Sequence, residues 1–134
     1  MRSFQRDRYL PEEFIASLKR TAMEIIDDEY LATLAVGEDK IYVSAKVNGQ
    51  STEDFLAILR SVLIRVGLLD NLVQQSCEAE QARSGLDPSI YELYLANIYL
   101  DGPSLTFTYF GSQVNTQWDA NFQLVNGQWQ KANF

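Results

Sequence analysis

The sequence predicts an α+β fold in which amino-terminal helices pack on a curved antiparallel meander of about four strands. Changes of hydrophobic period carry that expectation. Phe14, Leu18, Ala22 and Ile25 or Ile26 recur at helical spacing, whereas Ile41, Val43, Ala45 and Val47 alternate with Tyr42, Ser44 and Lys46. Beyond residue 90, strand-like runs end in turn signals at Asp101-Gly102-Pro103, Gly111-Ser112 and Asn126-Gly127. No repeat, low-complexity tract or linker interrupts the chain, so residues 1–134 read as one domain, with residues 1–10 as a basic arm carrying Arg2, Arg6 and Arg8.

Pro11, Glu12 and Glu13 open the first helix, because proline suits the first turn and acids favour the positive end of the helix dipole. The apolar stripe then extends an amphipathic helix over residues 11–27. In that reading Glu24, Asp27, Asp28 and Glu29 crowd the carboxy-terminal turn, where each acid opposes the dipole by about 0.3–1 kcal/mol. Such a breach of a local rule points to a basic partner, or to internal compensation by Arg6 or Arg8. Residues 31–36 fit either a strand or a last helical turn, and 41–47 a half-buried strand.

Ser51 reads as the cap of a second helix, with Glu53 and Asp54 in its first turn. Its apolar residues, from Phe55 to Val66, cover more than half its circumference and make it central. Gly67 suits its stop, and Asp70 the cap of a third helix reaching Arg83. That helix is polar enough to lie outside, burying only Leu72, Val73, Cys77 and Ala79 or Ala82. In the meander, Val114, Thr116, Trp118, Ala120, Phe122 and Leu124 share one face. A two-residue turn at Asn126-Gly127 sets Leu124 against Trp129, Phe122 against Lys131 and Gln123 against Gln130.

Composition narrows the chemistry. Histidine is absent, which removes serine–histidine and cysteine–histidine catalysis and histidine metal sites, though not carboxylate, tyrosine or lysine chemistry. The one cysteine, Cys77, cannot form an internal disulfide or a cysteine zinc cage and reads as a small buried hydrophobe. No glycine-rich phosphate loop, metal box or nucleophile elbow occurs, so no enzyme activity, cofactor or metal is expected. The net charge of −7 disfavours nucleic acid and suits a basic partner or plain solubility. No run approaches the roughly 20 apolar residues of a membrane helix, and no secretory segment follows the charged start, so a cytoplasmic location is expected.

Two residue groups are the candidate partner-binding sites. One is the acidic set Glu24, Asp27, Asp28 and Glu29. The other is the polar face of the meander, Asn115, Gln117, Asp119 and Asn121, continued by Gln123, Gln128 and Gln130. Amides offer donors and acceptors together, which suits recognition of backbone or polar side chains, and the same pattern also fits a solvated sheet face. Tyr91, Tyr99 and Tyr109 form a further set, able to line a cavity or to pack with a hydroxyl at the rim.

The run Tyr109-Phe110-Gly111-Ser112-Gln113-Val114-Asn115-Thr116-Gln117-Trp118, followed by Asn126-Gly127-Gln128-Trp129, resembles the tail of small bacterial immunity proteins. These neutralise polymorphic or contact-dependent inhibition toxins. The resemblance covers about the last third of the chain and implies a non-catalytic protein that occludes a toxin domain, expected to be a basic nuclease. Immunity families share no functional motif, so it assigns no residue role. The element order is also similar to the NTF2-like cone, in which a curved sheet wraps a helix. That likeness implies a pocket protein, either a small-molecule binder or an enzyme using an Asp-His or Tyr-Asp pair, and neither pair stands out here. An acidic secretion chaperone shares the size and charge, but needs a dimer and an apolar groove.

Overall fold

Residues 9–83, 93–111 and 117–134 are described by a computed structural model of the chain. Helix α1 (Pro11–Arg20) leads into strands β1 (Glu24–Ile26), β2 (Glu29–Val36) and β3 (Asp39–Lys46). Helices α2 (Thr52–Leu63) and α3 (Val66–Arg83) follow, and then β4 (Leu93–Asp101), β5 (Ser104–Gly111), β6 (Gln117–Val125) and β7 (Gln128–Asn133). The fold is α+β, and its sheet has seven strands in the order β1-β2-β3-β4-β5-β6-β7. The expected four-stranded meander is its carboxy-terminal part. Residues 31–36, ambiguous by pattern, form β2, so a second meander precedes the first.

The two meanders join through one parallel pairing, Tyr42–Ala45 of β3 against Asn97–Leu100 of β4. A parallel connection needs a long crossover, and α2 and α3 provide it. Alternate residues of the strands point to a single core shared by all three helices. Phe14, Phe55, Leu59, Val73, Ile98, Phe107 and Phe122 are almost fully buried in it. Tyr30 stacks on Phe55 at 4.5 Å and Phe107 meets Phe122 edge to face at 5.4 Å. The opposite sheet face carries the exposed residues of the same alternation, and no described element packs on it.

Polar side chains close the places where the ladder stops. Strand β1 pairs only with Glu29–Leu31, leaving the rest of β2 without a strand neighbour on that side among the described residues. There α1 takes over: buried Ser17 Oγ accepts from Ala35 N at 2.9 Å, and Thr21 Oγ1 lies 2.7 Å from the Ser17 carbonyl and 3.3 Å from that of Thr33. Strand β4 has the same need ahead of its short pairing with β3. Tyr9 Oη accepts from Leu95 N at 2.9 Å, and Gln74 Nε2 donates to Leu93 O at 3.3 Å. Gln74 also donates to Asp70 Oδ1 at 3.2 Å, and Tyr109 Oη donates to the same oxygen at 2.7 Å. Gly67 lets the Tyr9 backbone approach α3, since a Cβ there would lie 3.0 Å from the Tyr9 carbonyl oxygen.

Several local expectations give way to these tertiary bonds. Helix α1 stops at Arg20, and Thr21 takes an extended conformation, its hydroxyl bonded back to the Ser17 carbonyl. The basic residues Lys19 and Arg20 occupy the last turn, so the helix agrees with its dipole. Asp70 caps nothing: it lies inside α3 and is fully buried. Helix α3 packs through Val66, Leu69, Val73, Gln74 and Cys77, while Leu72, expected inside, is exposed. Gly67 sits at the start of α3 and does not end α2. The Ser51 cap and the Asn126-Gly127 hairpin register are as the sequence predicts: Ser51 Oγ accepts from Asp54 N, and Leu124, Gln123 and Phe122 face Trp129, Gln130 and Lys131.

Both closures are testable by urea denaturation. Ser17→Ala leaves the Ala35 amide without its acceptor and lowers stability by about 1–3 kcal/mol. Tyr109→Phe removes the 2.7 Å donor from a buried carboxylate and costs a similar, roughly 1–3 kcal/mol loss. A change below about 0.5 kcal/mol in either variant shows that the bond contributes nothing net.

Candidate functional site

The acidic residues lie on a β-hairpin and not at a helix end. Glu24 is on β1, Asp27 and Asp28 form its turn, and Glu29 begins β2. Asp27 and Asp28 have φ of 51° and 62°, the left-handed conformation a two-residue hairpin demands at both central positions. Asp tolerates that conformation better than most residues, which explains two acids at the tip without any conflict with a helix dipole. The Asp28 carbonyl accepts from Val47 N at 3.0 Å and ties the tip to the end of β3. The reason that first singled out these acids is therefore overturned, but their position gives them a different interest.

Register places Glu24 opposite Leu31, Leu31 opposite Ser44, Ser44 beside Tyr99, Tyr99 opposite Thr106 and Thr106 opposite Asn121. Directly paired residues share a face. The acidic group from one end of the chain and the amide group from the other thus lie on the same open sheet face. Five strand spacings of about 4.8 Å separate them, roughly 24 Å along the sheet. A parallel row runs Thr33, Tyr42, Asn97, Thr108 and Asp119.

A groove of about 500 Å³ occupies the β1–β3 end of this face. Glu24 and Glu29 stand on its wall, with Leu31, Thr33, Tyr42, Ser44 and Asn97 among the lining residues. Tyr42 is 54% exposed. At the other end the amide patch is internally bonded: Thr106 Oγ1 donates to Asn121 Oδ1 at 2.7 Å and Thr108 Oγ1 to Asp119 Oδ1 at 2.9 Å. Gln117 Nε2 lies 3.2 Å from both Asp119 oxygens. Phe110 and Tyr94, directly opposed on β5 and β4, add exposed aromatic surface to the same face. Gln123, Gln128 and Gln130 continue the polar surface to the edge strand. Asn115 lies outside the described residues.

The tyrosine set does not hold together. Tyr91 is outside the described residues, Tyr99 faces outward and Tyr109 is fully buried on the helix side. Tyr109 instead forms the Tyr-Asp pair that pattern alone does not show, with Asp70, and this pair lines neither the groove on the sheet nor the cleft between α1 and α2. Tyr42, Thr33, Ser44 and Asn97 complete the open face and belong with the candidate residues. For Tyr42 and Ser44 the signal was the polar half of the β3 alternation, unusable until the neighbouring strands are known; Thr33 on β2 and Asn97 on β4 carried no such signal. Among the described residues no group of three or more His, Cys, Asp or Glu could hold a metal ion. Among the described residues no helix is long and apolar enough to cross a membrane.

The chain matches no protein-family model, no curated protein and no solved structure.

The Thr–Asx ladder is a surface feature, and substitution measures this. Thr108→Val keeps the shape, loses the bond to Asp119 and lowers stability by only about 0.2–1 kcal/mol in a chemical-denaturation series. A loss above about 2 kcal/mol makes the ladder part of what holds the sheet.

Proposed function

We propose that the chain is a non-catalytic immunity protein that uses its open sheet face to occlude a basic toxin domain, a nuclease being the expected class. The observation that carries this reading is the convergence of the acidic and the amide-rich groups on one face of one sheet. A face of this kind combines what a protein interface needs: acids that steer a basic partner, exposed aromatics that anchor it, and amides that satisfy its polar groups. The net charge of −7 supports fast encounter with a basic surface. A cytoplasmic location accords with a toxin met inside the cell.

The helix side of the sheet supports the binding reading over a pocket inside an NTF2-like cone. Phe14, Phe55, Phe107 and Phe122 are buried there with 1% exposure or less. Both described grooves lie away from the Asp70–Tyr109 pair.

The test begins with affinity purification of the partner from native cells and proceeds to calorimetry with the recovered domain. Glu24→Lys with Glu29→Lys, both on partly or fully exposed side chains, reverses the groove charge. The double variant weakens the complex by at least about tenfold, with the wild-type affinity falling as salt rises. Unchanged affinity removes the groove from the interface. Failure of stoichiometric chain to suppress the partner's activity removes the immunity reading itself.

A further inference from the structure

A second cleft, about 330 Å³, lies between α1 and α2 and has a different chemistry from the sheet groove. Its apolar lining comes from Ile15 and Leu18 on α1, Met23 just beyond it and Leu56 on α2. Its cations are Lys19 and Arg60, both exposed, which come from different helices to the same opening. Neither is in an ion pair among the described residues, in a protein with 18 acidic and 11 basic side chains. Acids so abundant make an unpartnered pair of cations over an apolar depression notable. Glu12, Glu13, Glu53 and Asp54 lie on the same two helices, in their first turns, whereas Lys19 and Arg60 lie in the last.

We propose that this cleft binds a small anionic amphiphile: an alkyl carboxylate whose head sits between Lys19 and Arg60 and whose chain lies on Ile15, Leu18, Met23 and Leu56. Charge complementarity selects the sign of the head group, and the apolar wall requires a tail. The volume is at the lower end of small-ligand sites, which suits a chain of about eight carbons. The guanidinium offers a planar fork to the carboxylate and the ammonium a point charge, so the head is held from two sides. This site lies on the helix layer and meets the sheet groove proposed to bind a protein at Thr21, which lines both.

Met23 reports on the cleft directly, because the only other methionine is Met1. Carbon-13 methyl labelling of methionine, followed by NMR, gives one resonance from the cleft wall and one from the chain terminus. Octanoate is the probe, with octylammonium and octanol as matched controls. Octanoate shifts the Met23 methyl saturably at millimolar concentrations, and octylammonium does not. The Lys19→Gln/Arg60→Gln variant weakens octanoate by roughly 2–30-fold, the sum expected of two exposed ion pairs. Ile15→Asn, which leaves both cations and places a neutral polar amide on the apolar wall, abolishes the shift while the circular dichroism spectrum is retained. No saturation by octanoate, equal binding of octylammonium, or unchanged affinity in the double variant overturns the proposal.

Discussion

The four-residue parallel seam between Tyr42–Ala45 and Asn97–Leu100 is the constraint on which the rest of the structure depends. It joins two meanders that are each built from local antiparallel turns, and it does so across the whole α2–α3 crossover. Because the seam is short, the first residues of β4 lack a strand on that side among the described residues. Backbone groups there cannot be left unsatisfied in a core, so polar side chains are drawn inward. Tyr9 takes the Leu95 amide and Gln74 the Leu93 carbonyl, and the Asp70 carboxylate, itself bonded by Tyr109, holds Gln74 in place. The polar residues buried in α3 thus follow from where the sheet parts.

The same account separates what the sequence makes legible from what it does not. Alternation and turn chemistry are local, so β3, the β6–β7 register and the Ser51 cap can be read from neighbouring residues. The end of α1 cannot, because Ile25 and Ile26 fit a helical stripe and a strand equally well. Thr21 and the Asp27-Asp28 turn decide it, and both act through bonds to residues far along the chain or through backbone geometry. Asp70 shows the same limit. An aspartate after Leu68-Leu69 has the local signature of a cap, yet its partner is Tyr109, 39 residues away. The candidate site was legible as two polar groups; that they form one surface depends on the seam, which no local pattern contains.

An open sheet face carries its own risk, because unprotected edges invite pairing with other chains. The structure guards them unequally. Helix α1 covers the upper part of β2 with Ser17 and Thr21, and on the outermost strand β7 Lys131 projects its ammonium 4.8 Å over the Phe134 ring. Among the described residues, strand β1 is guarded by its shortness and by the charges of Glu24, Asp27 and Asp28. Ile25 and Ile26 remain exposed there, at 61% and 50%. On the proposed binding reading, the acids at this hairpin serve two ends at once: they discourage strand addition by a second acidic copy, and they leave the edge attractive to a basic chain.

That double role bears on how affinity and selectivity divide over the face. Exposed carboxylates act mainly on encounter rate and on the choice of partner, since each is well hydrated and contributes little once screened by salt. On the proposed reading tight binding comes from surface that loses water completely, and the apolar candidates on this face are Tyr42, Tyr94, Phe110 and the half-buried Leu31. Leu31 and Tyr42 line the acidic groove, whereas Tyr94 is paired with Phe110 and Phe110 with Gln117, whose amide is engaged by Asp119. The internal Thr–Asx bonds leave fewer acceptors open at that end. A basic partner would accordingly be chosen at the β1–β3 end, where charge and apolar surface coincide, and the amide end would set its orientation.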